Sequence, residues 1–165
     1  MGTAPKTTQL QIRVSPAQKA AIQRAARRAG MDMSAYVLER LLPASAQRFN
    51  ELTAACAKET DARFALAELN ALLSGLDAGE LQDAVAPPPQ AGLTAIQANY
   101  VAAMVEYACA QRGIAPPRWA GAIAPLTSPA FGSELRSLRL HLLTHSPPPF
   151  RRRNIFIDAS IGAQV

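Results

Sequence analysis

The chain has 165 residues, of which 49% are hydrophobic and 18% charged, with a formal net charge of +5. This length holds one ordinary domain or two small ones, and the composition excludes an intrinsically disordered chain. Cys56 and Cys109 are the only cysteines, which excludes a disulfide framework and a paired-cysteine zinc site. We expect neither a signal peptide nor a membrane span, because the first eight residues are polar and the uncharged stretches are interrupted by Pro or Gly. The alanine-rich composition predicts a mainly helical protein. Because neither a signal peptide nor a membrane span is expected, we expect the protein to be cytoplasmic.

The positive charge is concentrated at the two ends of the sequence. Residues 1–43 hold seven basic and two acidic side chains, and residues 147–165 hold three basic and one acidic side chain. Residues 44–146 hold seven basic and nine acidic side chains. A basic N-terminal segment on a nearly neutral body indicates nucleic-acid binding. The alternative is a solvated basic face without a partner.

The first predicted element is a strand over residues 8–15. Three apolar and three polar side chains alternate there, which is the period of a half-buried strand. The apolar residues are Leu10, Ile12 and Val14, and the polar residues are Gln9, Gln11 and Arg13.

Two short helices are predicted after this strand. Ser15 suits the N-cap of the first helix, Pro16 its first position and Gln18 a capping box, and Gly30 ends the helix after residues 17–29. The second helix is predicted over residues 35–42, capped by Asp32 or Ser34 and ended by Pro43.

A segment of about 40 residues is too small to bury a core, and a lone strand leaves its backbone unpaired. We therefore expect an obligate homodimer whose two strands pair as an antiparallel ribbon under four helices. The residues expected in its core are Leu10, Ile12, Val14, Ile22, Tyr36, Val37 and Leu41.

The segment from Gln9 to Val14, with Ser15, Pro16 and the turn from Gly30 to Ser34, resembles the ribbon-helix-helix DNA-binding proteins. This family includes the Arc and methionine repressors and many antitoxins. The resemblance implies an N-terminal domain over residues 1–43 with one strand and two helices per chain, which binds double-stranded operator DNA as a dimer.

The resemblance also implies which side chains contact DNA. The polar strand residues Gln9, Gln11 and Arg13 would contact base edges in the major groove, since Arg pairs with guanine and Gln with adenine. The start of the second helix, at Ser34 and Ala35, would bind a DNA phosphate together with Lys6.

Residues 44–165 are predicted to form a helical C-terminal region with a short strand near its end. Helix is predicted over residues 44–86 with a break near Gly75 and Gly79, over residues 93–111, and over residues 133–143. Proline runs at residues 87–89 and 147–149 interrupt it, and residues 151–157 alternate as a strand does.

The C-terminal segment from Pro117 to Phe156 resembles small antitoxin-like regulators encoded beside a nucleotidyltransferase toxin. This similarity implies that the C-terminal region binds a protein partner, a toxin of that type. The residues expected to contact the partner are Trp119, Phe131, Phe150, Arg151, Arg152, Arg153 and Phe156.

No pattern in the sequence indicates catalysis, a cofactor or a metal. His141 and His145 have helical spacing, but no Glu lies between them and no third ligand follows. Cys56 and Cys109 are flanked by alanines and are interpreted as small buried side chains. We therefore expect a non-enzyme.

Three hypotheses follow from the sequence. The first is a DNA-binding transcriptional regulator, the antitoxin of a toxin-antitoxin pair, which represses its own operon and neutralises a toxin through its C-terminal region. The second is a repressor whose C-terminal region senses a ligand. The third is an interaction adaptor whose N-terminal domain only dimerises, and it predicts weak DNA binding without sequence preference.

Overall fold

The computed structural model describes residues 11–41, 44–58, 62–90 and 92–158. Two compact units divide between Ala44 and Ser45, and the described part of the chain is mainly helical, as predicted. None of its helices is long and apolar enough to cross a membrane. Its helices are α1 (Pro16–Arg28), α2 (Met33–Leu41), α3 (Ala44–Lys58), α4 (Arg63–Gly75), α5 (Ala78–Val85), α6 (Ala95–Gln111), α7 (Arg118–Ala122), α8 (Arg139–His145) and α9 (Pro148–Arg151).

The first unit contains α1 and α2, and α1 has the ends that the sequence predicts. The Ser15 side chain accepts from the Gln18 amide and the Gln18 side chain accepts from the Ser15 amide, which confirms the capping box. Gly30 follows the helix with φ 69°. The Met31 amide donates to Ala26 and the Gly30 amide to Arg27, so the helix ends in a complete Schellman motif.

A short turn leads from α1 into α2. Of the two capping residues considered from the sequence, Asp32 is the one the structure uses. Residues 11–15 hold no strand within the single chain described here. The N-terminal part of the predicted strand, including Gln9 and Leu10, lies outside the described residues.

The first unit has almost no interior of its own. Among its described side chains only Ala26 is buried. Ile22, Tyr36 and Val37 are half-buried. Packing of α1 on α2 therefore leaves most of the apolar surface of this unit in contact with water.

The second unit is built around α6. Positions 101–105 of this helix are all buried, which is the pattern of a helix surrounded by other elements. Helices α4, α5, α7 and α9 pack on it. Thr94 caps its start with Gln97 as a capping box, and Gly113 at φ 65° ends it. The core contains mainly aliphatic side chains with one phenylalanine at each end of the unit's sequence, Phe49 and Phe150.

A two-residue parallel sheet connects the C-terminal elements to this core. Strand β1 (Ala130–Phe131) pairs with β2 (Ile155–Phe156) in the register Ala130 to Ile155. A Cβ on Gly132 would lie 3.1 Å from the Ile157 side chain, so glycine permits this close approach. The expected short C-terminal strand is therefore present.

Three expectations about the second unit need correction. The helix predicted over residues 44–86 is three helices, and Gly79 lies inside α5 because Asp77 and Glu80 form a capping box there. The helix predicted over residues 133–143 is a 3-10 turn (Arg136–Leu138) followed by α8. The prolines at 147–149 end α8 but also begin α9, since Pro suits the first turn of a helix.

Candidate nucleic-acid interface

Residues 11–15, the described part of the strand that is predicted to contact DNA bases, are exposed. Gln11 and Arg13, two of the three expected base contacts, both lie on the surface. Gln9, the third, and Lys6, an expected phosphate contact, lie outside the described residues. Ile12 and Val14 are 55% and 41% exposed, although their apolar character requires a buried environment. In a single chain, the polar and the apolar sides of this segment are thus both open to contact.

Helix α1 adds a basic face to the same unit. Arg24, Arg27 and Arg28 are exposed, and their spacing places them on one side of the helix. Ala26, the buried residue, lies on the opposite side. The sequence of α1 contains no acidic residue, so nothing within the helix neutralises this positive face. It can attract DNA phosphates without reading bases.

The expected phosphate site at the start of α2 is occupied by a side chain of the protein. Asp32 Oδ1 accepts from the Ser34 amide at 2.8 Å and from the Ala35 amide at 3.0 Å. These are the amides that a phosphate oxygen would need, and the carboxylate adds a negative charge at the same place. A phosphate could bind the Ser34 and Ala35 amides only after the Asp32 carboxylate had moved away, so phosphate binding there stays a prediction.

The expected dimer-core residues of the two helices form a half-exposed apolar surface. Ile22, Tyr36 and Val37 contribute to it, and the Arg40 guanidinium lies over the Tyr36 ring at 5.5 Å from its centroid. The side chain of Leu41 lies outside the described residues. This surface is accessible to a second copy of the chain.

The residues expected to bind a protein partner separate into two groups in the structure. Phe150 and Arg153 are buried in the second unit, where Phe150 packs edge-on against Tyr100 at 5.5 Å. A partner would therefore reach neither side chain in this structure, although both are expected from the sequence to contact it. Four side chains remain accessible in full or in part, namely Phe131, Arg151, Arg152 and Phe156, and the indole nitrogen of the half-buried Trp119 donates to Val85 O at 2.8 Å.

Arg153 is the centre of a buried polar network that sequence reasoning missed. Its guanidinium donates to Glu106 Oε1 at 2.6 Å, to Ala120 O at 2.6 Å and to Asn99 Oδ1 at 3.2 Å. Asn99 Nδ2 in turn donates to Ala124 O at 3.0 Å. The network holds the chain segment after α7 against α6, and its partners are too distant in sequence for any local pattern to indicate them.

A second arginine, Arg112, closes the C-terminal end of α4. It donates to Leu73 O at 2.9 Å, Ser74 O at 2.8 Å and Leu76 O at 2.7 Å. Carbonyl groups at a helix end have no partner within the helix, so a cation that binds several of them stabilises it. Arg112 is the C-cap residue of α6, and no local sequence pattern indicates that it binds the end of α4.

The histidines and cysteines are the remaining candidates for metal binding and thiol chemistry. The His141 and His145 rings stack at 4.1 Å between centroids, and within the described ranges no group of three or more His, Cys, Asp or Glu is arranged to hold a metal. Cys56 and Cys109 are buried as predicted. Burial raises the pKa of the Cys109 thiol, against a smaller opposite effect of Arg112, so the thiol is protonated and poorly nucleophilic at neutral pH.

Comparison with protein families finds a similarity in the N-terminal part of the chain. Residues 4–77 are similar to a family model described as NikA-like, mobilization protein NikA. The matched segment contains all the residues expected to contact DNA, and it continues through α3 and α4. Neither the search of curated proteins nor the search of solved structures finds a significant match.

Proposed function

We propose that this chain is a dimeric, sequence-specific DNA-binding protein that acts in the mobilization of DNA. Its first unit forms a ribbon-helix-helix dimer on the DNA, and its second unit carries a protein-binding surface. The observation that carries the proposal is the first unit itself, which exposes a polar reading segment, an uncovered apolar surface and a basic helix face together.

The exposed apolar side chains support dimerisation. Ile12 and Val14 alternate with Gln11 and Arg13, so one side of a paired ribbon would be apolar and the other polar. A second copy would bury the apolar side against Ile22 and Val37. It would also provide the hydrogen-bonding edge that residues 11–15 lack in one chain.

The polar side of the ribbon supports DNA reading. A two-stranded ribbon fits the major groove, and Arg13 would recognise guanine through two hydrogen bonds. Gln11, with Gln9 before it, would recognise adenine. Arg24, Arg27 and Arg28 supply positive charge for phosphates, in place of the start of α2 where Asp32 already binds the amides.

The similarity to a mobilization protein favours DNA mobilization over the antitoxin role that the sequence suggests. The match covers the DNA-binding unit and the first helices of the second unit. A second candidate function is that of a repressor that neutralises a toxin through residues 44–165. The resemblance of the C-terminal segment to antitoxin-like regulators supports it. The two functions share the DNA-binding unit and differ in the DNA site and the partner.

A gel shift at physiological salt tests the shared part. The purified chain is titrated onto duplexes tiled across the DNA that flanks its own gene, with an excess of random duplex as competitor. We expect one duplex to be retained at nanomolar protein, the range of specific DNA binding. Arg13→Ala should abolish this preference, and Arg118→Ala, an exposed arginine of the second unit, should leave it unchanged.

The outcome decides between the candidates. Equal binding of all duplexes, lost as salt rises, would contradict sequence-specific recognition and leave an adaptor. If a duplex is retained, deletion of the gene distinguishes the two functions. Loss of DNA transfer supports mobilization, whereas toxicity relieved by the intact gene supports the antitoxin.

A further inference from the structure

Several exposed leucines of the second unit lie in the part of the sequence between β1 and β2. Leu135, Leu138, Leu140 and Leu143 are 62%, 40%, 73% and 42% exposed. They occupy the 3-10 turn, the residue before it and α8, so four of the large exposed hydrophobic side chains of the described chain fall within nine positions. We call this set the leucine patch.

The leucine patch has a defined geometry. Leu142 alone anchors α8 in the interior. Leu140 lies on the side of α8 that faces away from Leu142, and Leu143, about 100° from Leu142 around the helix, lies on its flank. One side of this short helix therefore holds it in the fold, and the two leucines on its other sides are exposed in the described chain.

Basic side chains and aromatic rings border the leucine patch. Arg136 and Arg139 are exposed and interleave with the leucines. The Arg139 guanidinium lies over the Phe131 ring at 5.0 Å from its centroid, and Phe131 stacks on Phe156 at 5.3 Å. Phenylalanine and arginine are among the residue types that are enriched in protein interfaces.

We propose that the leucine patch, with Arg136, Arg139 and Phe131, is the docking site for an acidic amphipathic helix of a partner protein. The leucines would receive an apolar stripe, and the two arginines would pair with carboxylates beside it. The inference rests on the proposed partner-binding role of the second unit and specifies the chemistry of that partner.

Charge decides between a partner and a second copy of the chain. A copy seated on the same face by two-fold symmetry would bring its own Arg136 and Arg139 into the same interface, and an excess of like charge there is unfavourable. Glu134 is the only acidic residue between positions 131 and 145, and the Asp158 carboxylate near α8 already contacts His141 at 3.3 Å. An acidic helix satisfies both arginines at once.

A peptide-binding measurement with the full-length chain tests the proposal. The probe is a labelled synthetic helix with leucines at i, i+3, i+4 and i+7 and glutamates beside them. A second probe carries lysines in place of the glutamates. We expect the acidic helix to bind about tenfold more tightly in fluorescence anisotropy, a preference that decreases with salt.

Variants connect the binding to the leucine patch. The double variant Leu140→Glu with Leu143→Glu should weaken binding of the acidic helix about tenfold or more. Phe64→Glu is the matched control, because Phe64 is 81% exposed in α4 and lies outside the patch. Arg136→Glu with Arg139→Glu should invert the preference between the two probes. All these positions are exposed, so the variants should fold normally.

Four results would overturn the proposal. The first two are equal affinity for the two probes and no binding of the acidic helix. The others are the same loss in Phe64→Glu as in the leucine variant, and a leucine variant whose only change is a lower oligomeric state. The last result would identify the patch as a contact between copies. A gel shift of the leucine variant keeps the proposed function separate, because DNA binding should be unchanged whether or not the peptide binds.

Discussion

The two units use the same local signals but differ in what they bury. Both contain helices with capping boxes and glycine-terminated ends, at Ser15 and Gly30 in the first unit and at Thr94 and Gly113 in the second. Only Ala26 is buried among the described side chains of the first unit, whereas the second encloses the whole middle of α6. Local signals thus determine where helices begin and end, and long-range burial determines whether a unit is stable alone.

The largest expected effect is the loss of the buried arginine of the second unit. Arg153→Ala would leave Glu106 and Asn99 without their buried partner, and removal of one member of a buried ion pair costs about 3–5 kcal/mol. We expect the second unit to unfold at much lower urea concentration, followed by circular dichroism. Arg152→Ala is the control, because this neighbouring side chain is 71% exposed and 3.9 Å from Glu106. Equal effects of the two variants would contradict the account.

A smaller effect is expected from Arg112. Arg112→Ala would remove four hydrogen bonds to the carbonyls of Leu73, Ser74, Leu76 and Ala108, three of them at the end of α4. Hydrogen bonds that involve charged groups contribute about 1.5–3 kcal/mol, so a loss of about 2 kcal/mol is expected. Hydrogen exchange should increase in the last turn of α4 before it does in α6. Unchanged exchange there would mean that the arginine is not needed to hold this helix end.

Two glycine substitutions are expected to change the free energy of unfolding in opposite directions. Gly30 has φ 69°, a conformation that costs an L-residue about 1–2 kcal/mol, so Gly30→Ala should destabilise the first unit. Gly75 lies within α4 and a Cβ there meets no atom within 4 Å, so Gly75→Ala should stabilise the second unit by about 0.4–1 kcal/mol. Denaturant midpoints of both variants measure this contrast. A shift of the same sign in both would contradict it.

The smallest effect concerns the start of α2. Asp32→Asn keeps a good capping residue but removes the negative charge beside the Ser34 and Ala35 amides. Helix stability should change by only a few tenths of a kcal/mol, and affinity for DNA should rise a few-fold at low salt. Ser34→Ala is the control, since the Ser34 amide rather than its hydroxyl bonds to Asp32. A fall in DNA affinity in the asparagine variant would instead show that the carboxylate contributes to DNA recognition.

The sequence predicts the local features of this molecule well and its long-range contacts poorly. The Ser15 capping box, the Gly30 terminus and the helix of residues 95–111 follow from patterns a few residues long. The capping box of Asp77 and Glu80 has the same pattern, but it is missed because Gly75 and Gly79 indicate a break in the helix. Arg153, one of three consecutive arginines, is expected from the sequence to contact a protein partner, yet its side chain is buried. Its hydrogen bonds to Asn99, Glu106 and two carbonyls, all 30 or more residues away in sequence, explain this burial.

The central claim is that the first unit acquires a core only when two chains associate through it. Sedimentation equilibrium of the full chain and of Ile12→Asp, with Phe64→Glu as the control, tests this most directly. We expect the natural chain and the control at about 35 kDa, twice the 17.5 kDa of one chain, and Ile12→Asp as a monomer with fewer helical residues. A natural chain that sediments as a monomer, or an Ile12→Asp variant that remains a dimer, would contradict the account.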